Sequence, residues 1–191
     1  MTTSRLQFAA LLLACLAPLG CEPATTVEPA HGEPAPAATS GGESDGAPGV
    51  DIPNAAQPLP DVLSGGKPSD ANLETAAARG YRTVVSLLPD ADAEREKVEA
   101  LGMRFVSIPV AGADDLTQDK ARELDAALSG PDATPAIVHC GSGNRAGALL
   151  ALRAFYVDGM GAEEAIDLGK RAGLRSLEGA VRERMSEETA E

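Results

Sequence analysis

A chain of 191 residues with a formal net charge of −13 has room for one ordinary domain and some spare length, not for two. Hydrophobic residues make up 43% but aromatics only 3%, with no Trp, so a core has to come from Leu, Val, Ile and Ala. The acidity, without clustered Lys or Arg, excludes a nucleic-acid partner, and two His with three Cys cannot close a zinc site; no metal and no organic cofactor is expected.

Residues 1–21 open with a polar stretch carrying Arg5 and run through apolar residues to Cys21. The run is too short for a comfortable membrane span and reads as a signal segment. Its close, Pro18-Leu19-Gly20-Cys21, resembles a bacterial lipoprotein signal, in which Cys21 is lipidated; Leu12-Leu13-Ala14-Cys15 is the competing site. The resemblance implies a periplasmic or cell-envelope protein whose membrane contact is the lipid anchor alone. Residues 22–57 are rich in Ala, Gly and Pro, with acidic and no basic side chains. Such a composition buries too little apolar surface to offset its ordering entropy, so it is expected to be a disordered tether, with His31 inert within it. Lipidation of Cys21 and loss of Cys15 would leave Cys140 as the one thiol, without a disulfide partner.

Residues 58–191 alternate short apolar runs with amphipathic stretches. Strands are expected at Val62–Gly65, Tyr81–Leu88, Met103–Val110 and Ala136–Cys140. Helices are expected over Asp70–Arg79, Ala91–Leu101, Thr117–Ser129, Arg145–Val157, Ala162–Ala172 and Leu177–Met185, with Thr117 as an N-cap. This alternation predicts an α/β domain with a mostly parallel central sheet of about four strands flanked by helices. The stretch Arg145–Val157 is apolar nearly all round, which marks a buried helix, and Ala146, Gly147 and Ala148 let its first turn approach neighbouring backbone.

The segment His139-Cys140-Gly141-Ser142-Gly143-Asn144-Arg145 joins the last strand to that helix. A thiol before a helix N-terminus feels the positive end of the dipole, so its thiolate is stabilised. Gly141 and Gly143 let the loop curl so that backbone N–H groups of Gly141, Ser142, Gly143 and Asn144 face an anion. Arg145 adds a bidentate fork for two oxygens of that anion. Gly141 to Ala146 also fits the G-x-G-x-x-A dinucleotide pattern, but it follows the last strand rather than the first of a βαβ unit.

A His-Cys pair followed by a Gly-rich loop and Arg resembles the protein tyrosine and dual-specificity phosphatases. Four residues separate Cys140 from Arg145, one fewer than in those enzymes; that shorter loop also resembles rhodaneses, which carry sulfur as a cysteine persulfide. The segments SGGKPSDANLETAAARGYRTVVSLLPD, EALGMRFVSIPV, IVHCGSGNRAG and YVDGMGAEEAIDLGKRAGL resemble the beta-lactamase-hydrolase-like phosphatase-like domain, over about residues 58–175. That resemblance implies a phosphatase-like fold, Cys140 as nucleophile, Arg145 as phosphate clamp, and a phosphorylated substrate or small oxyanion as ligand. It further implies that His139 fixes the loop and supports the thiolate, and that an upstream Asp protonates the leaving group, with Asp114 preferred to Asp115. Ala146 stands where the phosphatases usually carry Ser or Thr, which implies slow breakdown of a phosphocysteine. A rhodanese-like sulfurtransferase and a non-catalytic anion-binding module remain the alternatives.

Overall fold

The computed structural model describes residues 49–188, so the signal segment ending at Cys21, with Cys15, and most of the 22–57 stretch lie outside it. Five strands form one sheet: β1 (Ala56–Leu59), β2 (Val62–Gly65), β3 (Thr83–Ser86), β4 (Arg104–Ser107) and β5 (Ala136–His139). Their order is β1-β2-β5-β3-β4, with β1 antiparallel to β2 and every other pair parallel. Six helices flank it: α1 (Asp70–Ala78), α2 (Asp92–Ala100), α3 (Gln118–Leu128), α4 (Asn144–Tyr156), α5 (Ala162–Arg171) and α6 (Glu178–Glu188). The strand expected at Val62–Gly65 has those bounds, and the other three shorten to their paired centres.

Local chemistry explains the helix starts. Ser69 Oγ accepts from the Asn72 amide at 3.2 Å while the Ser69 amide donates to Asn72 Oδ1 at 2.9 Å, a reciprocal cap on α1. Thr117 caps α3 as expected, accepting from the Lys120 amide at 3.3 Å.

The sheet separates two apolar layers. Leu63, Leu73, Val84, Val98, Phe105 and Ile137 pack together under α1 and α2. Val85, Leu124, Val138, Leu149, Ile166 and Val181 pack under α3 to α6. Helix α4 is buried along nearly its whole length, as its composition demands. At Gly147 a Cβ would lie 2.2 Å from the Leu174 amide nitrogen and 2.7 Å from the Gly169 carbonyl, so only glycine allows α4 to meet α5 this closely.

The domain starts earlier than composition indicates. Residues 49–57, assigned to the tether, pack on the sheet: Val50 is 1% and Ile52 2% exposed, and Ile52 lies over Gly65. Strand β1 also begins here, the fifth strand that the sequence reading lacks. Two apolar anchors, the Asp51 and Pro53 carbonyls accepting from Asn72 and Gly66, and β1 pairing hold a stretch whose average composition is that of a linker.

Candidate active site

Parallel pairing brings three strand ends together. Gly65 on β2 and Ser86 on β3 are both in register with His139 on β5, so the chain leaves all three at one edge. Hydrogen bonds extend this alignment: the Cys140 amide donates to the Gly65 carbonyl at 3.2 Å, and the Leu87 amide to the His139 carbonyl at 2.9 Å. The segment of interest leaves the central strand at the carboxyl edge, where open parallel sheets place their ligands.

Gly143 closes the loop. Its φ of 94° lies in the left-handed region, which costs glycine little, and it serves as the N-cap position of α4. The turn points the Gly143 amide at Cys140 Sγ, 3.1 Å away. Burial raises the Cys140 thiol pKa, but hydrogen bonding from the backbone amides of Ala146, Ser142, Arg145 and Gly143 outweighs it, and the net effect is a pKa below the ordinary thiol value. The Gly143, Arg145 and Ala146 amides are free donors of the α4 N-terminus, so the helix start and the thiolate stabilise each other. Cys140 is fully buried, with Gly141 and Ser142 exposed above it.

The rest of the loop is braced from outside. Asn54 Nδ2 donates to the Ser142 carbonyl at 3.1 Å, and Ser142 pairs with Gly66 in an isolated bridge. Asn144 Oδ1 accepts from the Arg175 amide at 2.7 Å, and Asn144 Nδ2 donates to Ser176 Oγ at 2.8 Å. Of the residues assigned to ligand binding, Asn144 thus has its side chain committed to the α5–α6 connection. The Arg145 guanidinium donates to the carbonyls of Val110 and, at 3.5 Å, Leu87, and lies beside Gly141.

The two upstream acids differ sharply. Both sit in a 3-10 turn, Ala113–Asp115, just beyond Val110. Asp115 Oδ2 accepts from the Ala111 amide at 2.7 Å and the carboxylate lies 3.6 Å from Lys120 Nζ. The Ala111 hydrogen bond, followed by the Lys120 charge, holds its carboxyl below the usual range. Asp115 therefore braces its own turn, and Asp114 is exposed.

His139 requires a correction. Adjacent strand residues face opposite sides of a sheet, and while Cys140 joins the α4 layer the His139 side chain is buried on the other face. There its Nε2 lies 3.0 Å from Glu94 Oε1 on α2, too far off line for a hydrogen bond, while Glu94 Oε2 accepts from Ser86 Oγ at 3.1 Å. No hydrogen bond joins the imidazole to the loop it is expected to fix; Asn54, Asn144 and Ser176 brace that loop.

Sequence reasoning missed Asn54 and Glu94 for different reasons. Asn54 lies in a Pro-Asn turn within the presumed tether, and its positive φ of 53° is typical of Asn in turns. Nothing in the sequence distinguishes Glu94 from the many other acidic residues.

No family model and no curated protein matches the chain. Solved structures do share its fold. A DUF442 protein of Shewanella putrefaciens CN-32, described as a candidate phosphatase, superposes with a TM-score of 0.54 at 22% identity, covering 72% of this chain and 94% of that one. Tk-PTP in its active form gives a TM-score of 0.56 at 19% identity, covering 70% and 97%. A Cys-to-Ser form of Pseudomonas aeruginosa TpbA in complex with phosphotyrosine gives 0.53 at 20% identity, covering 69% and 82%. The chain shares the α/β fold of these solved structures.

Proposed function

We propose that the chain is a cysteine-dependent phosphatase. The reading rests above all on one observation: Cys140 Sγ lies within a ring of backbone amides at the start of α4, with the Arg145 guanidinium beside the same loop. The neighbours' fold supports it. The Cys140 thiolate attacks phosphorus in line, the phosphorus–oxygen ester bond breaks, and the departing oxygen takes a proton from Asp114. Loop amides and Arg145, released from Val110, hold the equatorial oxygens. Water then attacks the phosphocysteine, giving its proton to the Asp114 carboxylate, and inorganic phosphate and the thiolate are regenerated. The substrate approaches over the exposed Gly141 and Ser142.

Ala146 offers no hydroxyl to the departing thiolate, so the second step is the slower one. The phosphotyrosine bound to TpbA makes an aryl phosphate the first probe. Full-length wild type and Cys140→Ser are compared under single- and multiple-turnover conditions. Cys140-dependent release of the aryl alcohol, with a burst followed by slower turnover, is expected; release that survives Cys140→Ser refutes the proposal.

The four-residue spacing favours one other chemistry, in which the Cys140 thiolate takes the outer sulfur of thiosulfate and releases sulfite. A thiosulfate-dependent mass gain at Cys140, without aryl-phosphate cleavage, would establish it. In either reading Cys21 is the proposed lipid attachment, holding the domain at a bacterial envelope membrane.

A further inference from the structure

A polar cleft adjoins the Cys140 loop. It has a volume of about 440 Å³, within the range of small-molecule sites, and its lining includes Asn54, Ser142, Asn144, Arg171, Arg175 and Ser176. Three segments build it: the turn before β1, the loop itself, and the connection from α5 to α6. The hydrogen bonds from Asn54 to Ser142, from the Arg175 amide to Asn144 and from Asn144 to Ser176 lock these segments together. The loop that cradles Cys140 is therefore also a wall of this cleft.

Its charge opposes that of the chain. In a protein of net charge −13, the exposed Arg171 and Arg175 have no carboxylate partner among the described residues, and no acidic residue lines the cleft. Neighbouring cations are treated differently: Lys170 pairs with Glu178 at 3.1 Å, and Arg182 pairs with Glu163 and Glu178 at 2.5 and 3.0 Å. Two guanidinium groups without carboxylate partners, beside the Ser142 and Ser176 hydroxyls, form a site for an anion with several oxygens.

We propose that this cleft is a second anion subsite that binds another phosphate of the same small-molecule substrate. The proposal rests on the phosphatase reading for the Cys140 loop and narrows its substrate class. The substrate carries two phosphates: one in the loop is cleaved, and the other is held by Arg171 and Arg175.

The test separates binding from chemistry. Full-length Cys140→Ser protein is titrated with phenyl phosphate and with the 1,2-, 1,3- and 1,4-phenylene bisphosphates at physiological ionic strength. At least one bisphosphate should bind about tenfold more tightly than phenyl phosphate, the scale of a charge-assisted contact. That preference should collapse when Arg171→Met and Arg175→Met are combined, and persist with Arg122→Met on α3, a control for net charge. Thermal unfolding of the double variant verifies its fold, since both side chains are exposed. The subsite is overturned if no bisphosphate exceeds phenyl phosphate beyond the factor of two for its two equivalent groups, or if the preference survives the double substitution. Turnover of phenyl phosphate by wild type tests the phosphatase reading separately, so each idea can fail without the other.

Discussion

The Arg145 guanidinium donates to the Val110 carbonyl, linking the loop that begins at Cys140 to the turn that carries Asp114 and Asp115. The contact runs along the carboxyl edge of the sheet, from the segment after the central strand β5 to the segment after the outer strand β4. In the proposed mechanism an oxyanion entering the loop competes with that carbonyl for the guanidinium, which would couple ligand binding to the position of the turn. Lysine keeps the charge but loses the planar fork. Arg145→Lys is expected to lower kcat/KM for aryl phosphate by about 100- to 1,000-fold, the scale of losing an oxyanion donor, as measured by steady-state kinetics.

Asp114 and Asp115 should separate experimentally. Asp114→Asn removes the proposed proton donor and should lower kcat by about 100-fold or more, with the smallest loss on substrates whose leaving group needs no proton. Asp115→Asn weakens the acceptor for the Ala111 amide and the Lys120 contact. Its expected signature is a lower melting temperature with a kcat much closer to wild type. Because the folded-state pKa of Asp115 is depressed, its stabilising effect is present above the unfolded carboxyl pKa and lost as pH falls through the folded one. The melting-temperature gap between wild type and Asp115→Asn should therefore close in acid.

The thiol of Cys140 carries the same sign of linkage at higher pH. Although burial raises it, its folded pKa is on balance lowered from the ordinary thiol value by the backbone amides around it. Between those two values the unfolded chain binds the extra proton, so stability gained from the thiolate rises with pH, is complete above the unfolded pKa, and is lost as pH falls through the folded one. The ultraviolet thiolate absorbance of wild type minus Cys140→Ser should titrate below the free-thiol midpoint. A difference curve centred at or above that midpoint would remove the basis for a preformed nucleophile.

Glu94 and His139 make a polar contact inside the layer formed by α1 and α2. Glu94→Ala leaves Ser86 and His139 without that partner in a buried setting, and should cost about 2–4 kcal/mol in denaturant unfolding. Glu94→Gln keeps an acceptor for Ser86 Oγ and should cost less. Equal losses in the two variants would mean that the carboxylate charge, which both remove, determines the effect, and neither packing volume nor an acceptor for Ser86 Oγ does.

Shortening the chain tests where the domain begins. A fragment starting at residue 58 loses Val50, Ile52 and the first half of β1, and with Ile52 the cover over Gly65. Each buried aliphatic side chain is worth about 1.5–3 kcal/mol. The 58–191 fragment should be less stable than one starting at 49 by roughly 3–6 kcal/mol, measured by urea unfolding, and its Ser142 brace from Asn54 is lost as well.

Much of the site is local in sequence, and for that reason it could be read there. The strand ending at His139, the turn through Gly143 and the buried helix from Asn144 all follow from short-range patterns of apolar residues and glycine. Those patterns alone place Cys140 beneath a helix N-terminus and Arg145 in the first turn of that helix. The spacing of Val62–Gly65 likewise reveals β2. What composition hid was the edge: Val50, Ile52 and Ala56–Leu59 sit in a window whose Pro and Gly content dominates any average, although two well-placed aliphatic residues, backbone hydrogen bonds and β1 pairing hold it.

Only the tertiary structure could distinguish residues of like type. Asp114 and Asp115 are neighbours with the same chemistry, and their roles separate because the Ala111 amide and Lys120 reach one of them. His139 adjoins Cys140 in sequence but faces the other side of the sheet, where α2 happens to supply Glu94. Arg171 and Arg175 stand among many charged residues, and it is the fold that leaves them without carboxylates beside Ser142 and Asn144. Such roles depend on which groups meet across elements far apart in the chain. Single-residue chemistry and local periodicity carry no record of those meetings; the packing of α4 against α5 and the register of three parallel strands create them.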